Sequence, residues 1–285
     1  MADYQPPAPT LQEQDLVGKV AIVTGASKGI GRAISLSLAT RGCSILGTFS
    51  STQSAHIFDT LSSTVRNLYA AAESKAPTMR GVAADITSLS SVDTLLKALA
   101  THFPGQSLSI LVFNASHNTR PRLGSASEDD INDSLTGNLH WPIALMEKLV
   151  RQEHFTPHSR VVVISSDRVR DPSPGSGLFN ATRTAMESLV RSWAIELPHS
   201  FPGTTVNAVS VGLTDTPGLR AFPAEAVQAL KEQRLPKVKV MEGGRMGQAE
   251  DVADVVGFLV SEKSRWVTGS VVAANGGAEW VGGSS

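Results

Sequence analysis

Ser166 and Asp167 follow directly on a run of branched apolar residues, RVVVISS, and the next helical pattern brings Phe179 and Arg183. Phe179 and Arg183 stand four positions apart, so on a helix they share a face. A hydroxyl and a carboxylate at a strand's end can orient a substrate and balance a positive charge. A phenyl ring has no proton to give, and a guanidinium stays protonated and makes a poor proton relay. A positioned general acid is typically worth about 10²- to 10⁴-fold in rate, or about 3–5.5 kcal/mol of barrier, and Phe179 cannot supply it. The set therefore favours chemistry governed by charge over chemistry that needs a proton from residue 179.

A second group of residues binds rather than reacts. VAIVTGASKGIGRAISLSLA runs from a buried strand through Gly25, Gly29 and Gly31 into an amphipathic helix. Glycines allow the tight turn and let backbone amides approach a pyrophosphate, which then lies at the positive end of the helix. A plain strand-to-helix connection without a ligand is the alternative.

The elements that position these residues alternate. KVAIVTG, SILGTF, GVAADI, LSILVFNAS, RVVVISS, TVNAVSVG and GSVVAANGG read as strands, and GRAISLSLATRG, SSVDTLLKALATHF, ATRTAMESLVRSWAIEL and AEDVADVVGFLVSE as helices. Valine- and isoleucine-rich strands alternating with helices predict an α/β fold, a single Rossmann-type doubly wound parallel sheet of about seven strands with helices on both faces. Ligands of such sheets bind beyond the carboxyl ends of the strands. Residues 213–245, with Pro217, Pro223 and Pro236, break the rhythm and predict a lid-like insertion.

With 285 residues, 41% hydrophobic and 18% charged, the chain predicts one core and one domain, residues 17–285, after a flexible proline-bearing tail over residues 1–16. A net charge of −1 gives no global electrostatic reason to expect nucleic acid or an anionic membrane as partner. The opening MADYQPPAPTLQEQD lacks a signal peptide's pattern, and no apolar run reaches membrane-spanning length. Cys43 is the only cysteine, which excludes an internal disulfide and fits a reducing, cytoplasmic setting; no clustered ligand pattern suggests a metal.

The turn spacing G-x-x-x-G-x-G with Thr24 resembles the short-chain dehydrogenase/reductase family, and the resemblance extends over nearly all of the chain after the tail. It implies that Thr24, Gly25, Ser27, Lys28, Gly29, Ile30 and Gly31 form the phosphate turn and that Asp85 and Ile86 contact adenine. It places Asn114 and Ala115 in the segment after the fourth strand, with Ser116 in place of a glycine. By the same resemblance Thr214 and Thr216 hold the carboxamide, although Val211 stands where the family has proline. Ser50 and Ser51 end the second strand with no acidic residue to repel a 2′-phosphate, and Lys28 adds a cation, so NADP(H) is the expected cofactor. Lys28 and Arg32 are equally compatible with solvated turn positions.

In the family an Asn, a Ser and a Tyr-x-x-x-Lys pair surround the reacting carbonyl. The matching positions here are Asn138, Ser166, Phe179 and Arg183, with Ser166 thirteen residues before Phe179. Arg183 is expected to reach the ribose hydroxyls. Pro142 removes a partner from the Asn138 carbonyl, either as a simple kink or to free that oxygen for water. Hydride transfer to an iminium carbon needs no acid at the acceptor, so the lost phenol costs such a reaction little. A carboxylate about 4 Å from the cationic nitrogen contributes about 4 kcal/mol at an effective dielectric of about 20, before desolvation. Asp167 is the candidate, against an alternative in which it pairs with Arg168 or Arg170 in solvent.

The resemblance thus implies an NADPH-dependent reductase of an imine or iminium, in keeping with family members of fungal indole-alkaloid pathways that have lost the Tyr/Lys pair, reduce iminium species and guide a Diels-Alder cyclisation. A non-redox cyclase or isomerase that keeps NADP as a structural element is a second reading, and a silent binding subunit a third. Further expectations are a small-molecule substrate, cationic on the iminium reading, and by family resemblance a homo-oligomer, dimer or tetramer. His117, Arg120 and Arg122 read as a solvated loop before they read as a site for an acidic substituent. His140 and Trp141 read as core, His154 and His158 as surface, and Trp280 as a pocket or interface residue.

Overall fold

The structure is a computed structural model that describes residues 8–282. Seven strands form one sheet: β1 (Val20–Val23), β2 (Ser44–Phe49), β3 (Met79–Ala83), β4 (Leu108–Phe113), β5 (Phe155–Ser166), β6 (Thr205–Val211) and β7 (Val271–Ala274). Their spatial order is β3-β2-β1-β4-β5-β6-β7, and every neighbouring pair is parallel. The chain reverses direction across the sheet between β1 and β4, which is where such folds open a crevice for a ligand.

The two-residue period of β1 explains the two cores. Ala21 and Val23 point to one face, which is packed by Ile34 and Leu38 of α1 (Gly29–Thr40), Phe58 and Leu61 of α2 (Ala55–Ala71) and Val252 and Val256 of a later helix. Val20 and Ile22 point to the other, packed by Leu95 and Leu99 of α3 (Ser91–His102), Trp141 and Leu145, and Met186 and Val190. Burial on both faces leaves no alternation of polar residues in the central strands.

After β4 come α4 (Glu128–Leu135) and α5 (Trp141–Arg151), and they are joined without a break by a wide π-type turn over Thr136–His140. Ser127 and Asp130 cap α4 reciprocally. Pro142 lies in the first turn of α5. The wider turn before it absorbs the clash between the proline ring and the carbonyl of Asn138, so the helix continues instead of bending sharply. α6 (Gly177–Ser200) connects β5 to β6. The segment after β6 contains α7 (Pro217–Arg220) and α8 (Ala224–Arg234), and α9 (Ala249–Leu259) leads on to β7. The two ends of that segment are pinned together: Thr214 bridges to Gly247, Gly247 donates its amide to Leu213 at 2.9 Å and Asp215 donates to Gly247 at 2.8 Å.

The tail reading needs correction at its inner end. Leu16 is fully buried, the Gln12 and Leu16 amides donate to Thr40 and Arg41 at 3.1 Å, and Asp15 accepts two bonds from Arg41. Residues 1–7 of the expected tail lie outside the described residues.

Candidate active site

Above the strand ends lies a cavity of about 850 Å³, bounded by the β1–α1 turn, the ends of β4, β5 and β6, the start of α6, and α8. Gly25 and Gly29 take positive φ, +67° and +53°, which an L side chain rarely adopts. A Cβ on Gly31 would collide with the Gly25 carbonyl and the Asn114 side chain, so the third glycine lets the helix start close against β4. α1 begins with no side-chain cap and no acidic residue in its first turn, so its leading amides are open to an anion. The residues that could hold a dinucleotide phosphate fit the group on these grounds.

Gly25, Ser27, Lys28, Gly29, Ile30, Ser50, Ile86, Asn114, Ala115, Arg183, Thr214 and Thr216 all line the cavity. Thr24 does not. It is buried, and its hydroxyl accepts the Asn114 and Ala115 amides at 2.9 Å, which fixes the loop after β4 to the glycine turn. Ser51 and Gly31 stay behind the lining, and so does Arg32. Asp85 is exposed with its carboxylate turned onto Thr87, which donates both its amide and its hydroxyl at 2.9 Å. Only its neighbour Ile86 reaches the cavity.

The catalytic candidates divide as well. Asn138, at the π-type turn, is 1% exposed and absent from the lining. Its amide nitrogen donates to the His117 carbonyl and its oxygen accepts the His117 amide, both at 2.8 Å. With both ends of its side chain committed, Asn138 shapes the loop that carries Arg120 and Arg122. Ser166, Asp167, Phe179 and Arg183 all reach the cavity. Ser165, the neighbour of Ser166, donates to Glu187 at 2.6 Å, and Glu187 is also held by Arg170, so β5 and α6 are fixed side by side.

Asp167 does not pair with Arg168 or Arg170 in solvent. It is 3% exposed, Arg170 belongs to Glu187, and Arg168 bonds Ser173. Its partner is Arg234 at the end of α8, 3.8 Å away, which also binds the Asp171 carboxylate at 2.5 Å and the Asp171 carbonyl at 2.6 Å. Burial raises the Asp167 pKa, and the attraction of Arg234 and Arg168 offsets this only in part.

The solvated-loop reading is corrected for Arg120, which is half-buried and lines the cavity; it holds for Arg122, which is exposed at the cavity's edge, and His117 lies outside the lining. The Arg120 guanidinium lies 4.2 Å from the centre of the Phe179 ring and that of Arg183 lies 5.3 Å from it. Each contact is worth about 0.5–2 kcal/mol. Arg183 is 4% exposed; burial first and the charge of Arg120 second push its pKa down to about 10. Arg120 is also pushed to about 10, by burial and then by Arg168. Both stay protonated at neutral pH. Trp141 is core and gives its indole N–H to Ser91 at 2.8 Å, but His140 is exposed, contrary to the core reading. Trp280 is 60% exposed and outside the cavity lining. Among the described residues no cluster of ligands could hold a metal.

Sequence reasoning missed Arg234 and the apolar residues of α8 that cover the cavity, Ala226, Ala229 and Leu230. The only signal for Arg234 is a basic residue in a helical pattern, which is ordinarily solvent-facing.

The parallel sheet, the uncapped helix behind a glycine turn and the cavity over the strand ends define a dinucleotide-binding α/β protein. The chain belongs to the short-chain dehydrogenase/reductase family, and residues 25–279 match a family model described as enoyl-(acyl carrier protein) reductase. It is 34% identical to 3-oxoacyl-(acyl-carrier-protein) reductase FabG of Pseudomonas aeruginosa over 92% of this chain and 98% of that one. It is 30% identical to the short-chain dehydrogenase/reductase FrzI of a Cladobotryum species, over 92% and 96%. A short-chain dehydrogenase from Burkholderia cenocepacia, solved in complex with NADP, is 29% identical and superimposes with a TM-score of 0.77 over 93% of this chain and 99% of that one.

Proposed function

We propose that this protein is an NADPH-dependent reductase of specialised metabolism that delivers hydride to the carbon of an iminium, or of an imine already protonated on nitrogen, so that the neutral amine forms without a proton from residue 179. The observation that carries the proposal is the Phe179 ring, 9% exposed and flanked by two guanidinium groups where the family resemblance calls for a phenol. NADPH is favoured over NADH because Ser50 and Lys28 line the cavity and no acidic residue ends β2. The NADP complex of the Burkholderia relative supports this choice.

Bound NADPH supplies the hydride. The glycine turn and the first amides of α1 would hold its phosphates, and Thr214 and Thr216, which line the cavity, would hold the carboxamide as the resemblance implies. Arg183, in the position of the family lysine, stands ready for ribose hydroxyls: its Nε has no hydrogen-bond partner and its Nη2 reaches only the Ala115 carbonyl, at 3.5 Å. Ser166 offers the acceptor a hydroxyl. Asp167 opposes positive charge on a C=N nitrogen, but by less than an isolated carboxylate, since Arg234 already takes part of its field. α8 covers the cavity and limits water.

Deuterated NADPH tests the proposal. One label transferred to carbon per product, with one cofactor oxidised, is the expected result. Product formed while the cofactor stays reduced would establish the non-redox cyclase in its place. By family resemblance we also propose a dimer or tetramer, which light scattering measures directly.

A further inference from the structure

The charge around the Phe179 ring is out of balance. Arg120, Arg168 and Arg183 line the cavity, with Arg122 exposed at its edge; among the described residues Asp167 is the only carboxylate in the lining, and Arg234, also in the lining, is its partner. Among the described residues Arg120, Arg168 and Arg183 make no ion pair. Arg120 bonds the Asn118 side chain at 2.7 Å, Arg168 the Ser173 hydroxyl, and Arg183 a single carbonyl. The carboxylates that act on Arg168, Asp167 and Asp171, are engaged by Arg234 and Lys237. Arg183, 4% exposed, leaves its Nε unpartnered in this wall.

Several guanidinium groups that repel one another in a partly dehydrated cavity are costly unless an anion joins them. The cofactor's phosphates do not answer the need at this end. They belong at the glycine turn with Lys28, whereas Arg120 comes from the loop after β4 and Arg168 from the short helical turn after β5. Asn138 holds the first of these loops by its two bonds to His117. Ser166 caps the second, accepting the Arg168 amide at 3.2 Å.

We infer that the substrate carries a carboxylate, bound by Arg120 and Arg168 beside the Phe179 ring, so that its class is an imine with an acidic substituent. This rests on the reductase reading for the imine and on the arginine wall for the acid. A planar guanidinium can grip a carboxylate through two parallel hydrogen bonds.

Binding and turnover separate the two parts. Isoquinoline-3-carboxylate and isoquinoline-3-carboxamide, which are not reduced, are titrated by calorimetry into the NADP⁺-loaded wild-type protein. The carboxylate is expected to bind about 10- to 100-fold more tightly, the scale of hydrogen bonds to a charged group. Arg168→Gln is expected to weaken the carboxylate about tenfold and to leave the carboxamide within about twofold. Equal binding of the two probes by the wild type, or binding of neither, overturns the inference, and that comparison needs no variant to fold. Turnover of 3,4-dihydroisoquinoline-3-carboxylate and its carboxamide with NADPH completes the test. Equal kcat/KM for the pair overturns the acid site while the imine reading stands. A carboxylate preference in binding with no hydride transfer to either keeps the acid site and removes the imine reading.

Discussion

In the proposed function Asp167 and Phe179 decide the chemistry at the scale of single residues, and both are open to direct test. The folded protein holds Asp167 above its ordinary value of 3.8, so it binds more protons than the unfolded chain between that value and the raised one. Ionising Asp167 therefore costs stability as pH rises through this window. Activity on a cationic acceptor moves the opposite way, because only the ionised form opposes the charge. The wild-type kcat/KM is expected to fall with decreasing pH at a midpoint above the ordinary carboxylate range. Asp167→Asn is expected to lose that limb and about tenfold or more in rate at neutral pH, with a melting temperature no lower than the wild type's. An unchanged pH profile in the variant would remove Asp167 from the mechanism. That Phe179, Arg183 and Ser166 reach the cavity was legible because the family resemblance places all three by short spacings on one strand and one helix. Arg234 was not, since its contact with Asp167 joins residues far apart in the chain and exists only once α8 folds back over β5.

Elements carry the precision of the site. The seven strands could be read from their branched apolar runs, and the α6 face from Phe179 and Arg183. The π-type turn over Thr136–His140 could not, because a wide turn is a compromise between helix continuity and the Pro142 ring that no local pattern records. α2 does have a signal, Phe58, Leu61, Val65 and Tyr69 at helical spacing, although the motifs that suggest the fold do not call on it. Arg234 ties the end of α8 to Asp167 and Asp171, so Arg234→Ala leaves the buried Asp167 without its partner and Asp171 with Lys237 alone. Loss of such a partner costs about 3–5 kcal/mol at most, and less here because Lys237 still holds Asp171. The expected result in hydrogen exchange is faster opening of α8 with the sheet unaffected, accompanied by a higher KM. Unchanged protection would show that other contacts hold the cover in place. At the start of α1, Gly31→Ala is expected to weaken NADPH binding at least tenfold, measured by fluorescence, because its Cβ displaces the Gly25 carbonyl from the turn.

For the whole molecule, the sequence established one sheet with two covered faces but placed the domain's edge too late. Composition marked the first residues as polar and proline-bearing, while a lone leucine, Leu16, gives no periodicity from which docking could be read. Its complete burial makes Leu16→Ala an expected loss of about 2–5 kcal/mol. At this chain length the corresponding fall in melting temperature is about 3–8 °C. No helix among the described residues is long and apolar enough to cross a membrane.

The reaction itself is tested most directly by comparing an imine with its matched ketone in the wild type and in Phe179→Tyr, as kcat/KM with NADPH at neutral pH. The imine is expected to react in both proteins at rates within about threefold, and the ketone to be reduced at least a hundredfold more slowly by the wild type. A wild type that reduces the ketone as readily as the imine, or a tyrosine variant that gains a hundredfold on the imine, would contradict hydride transfer without an acid at position 179.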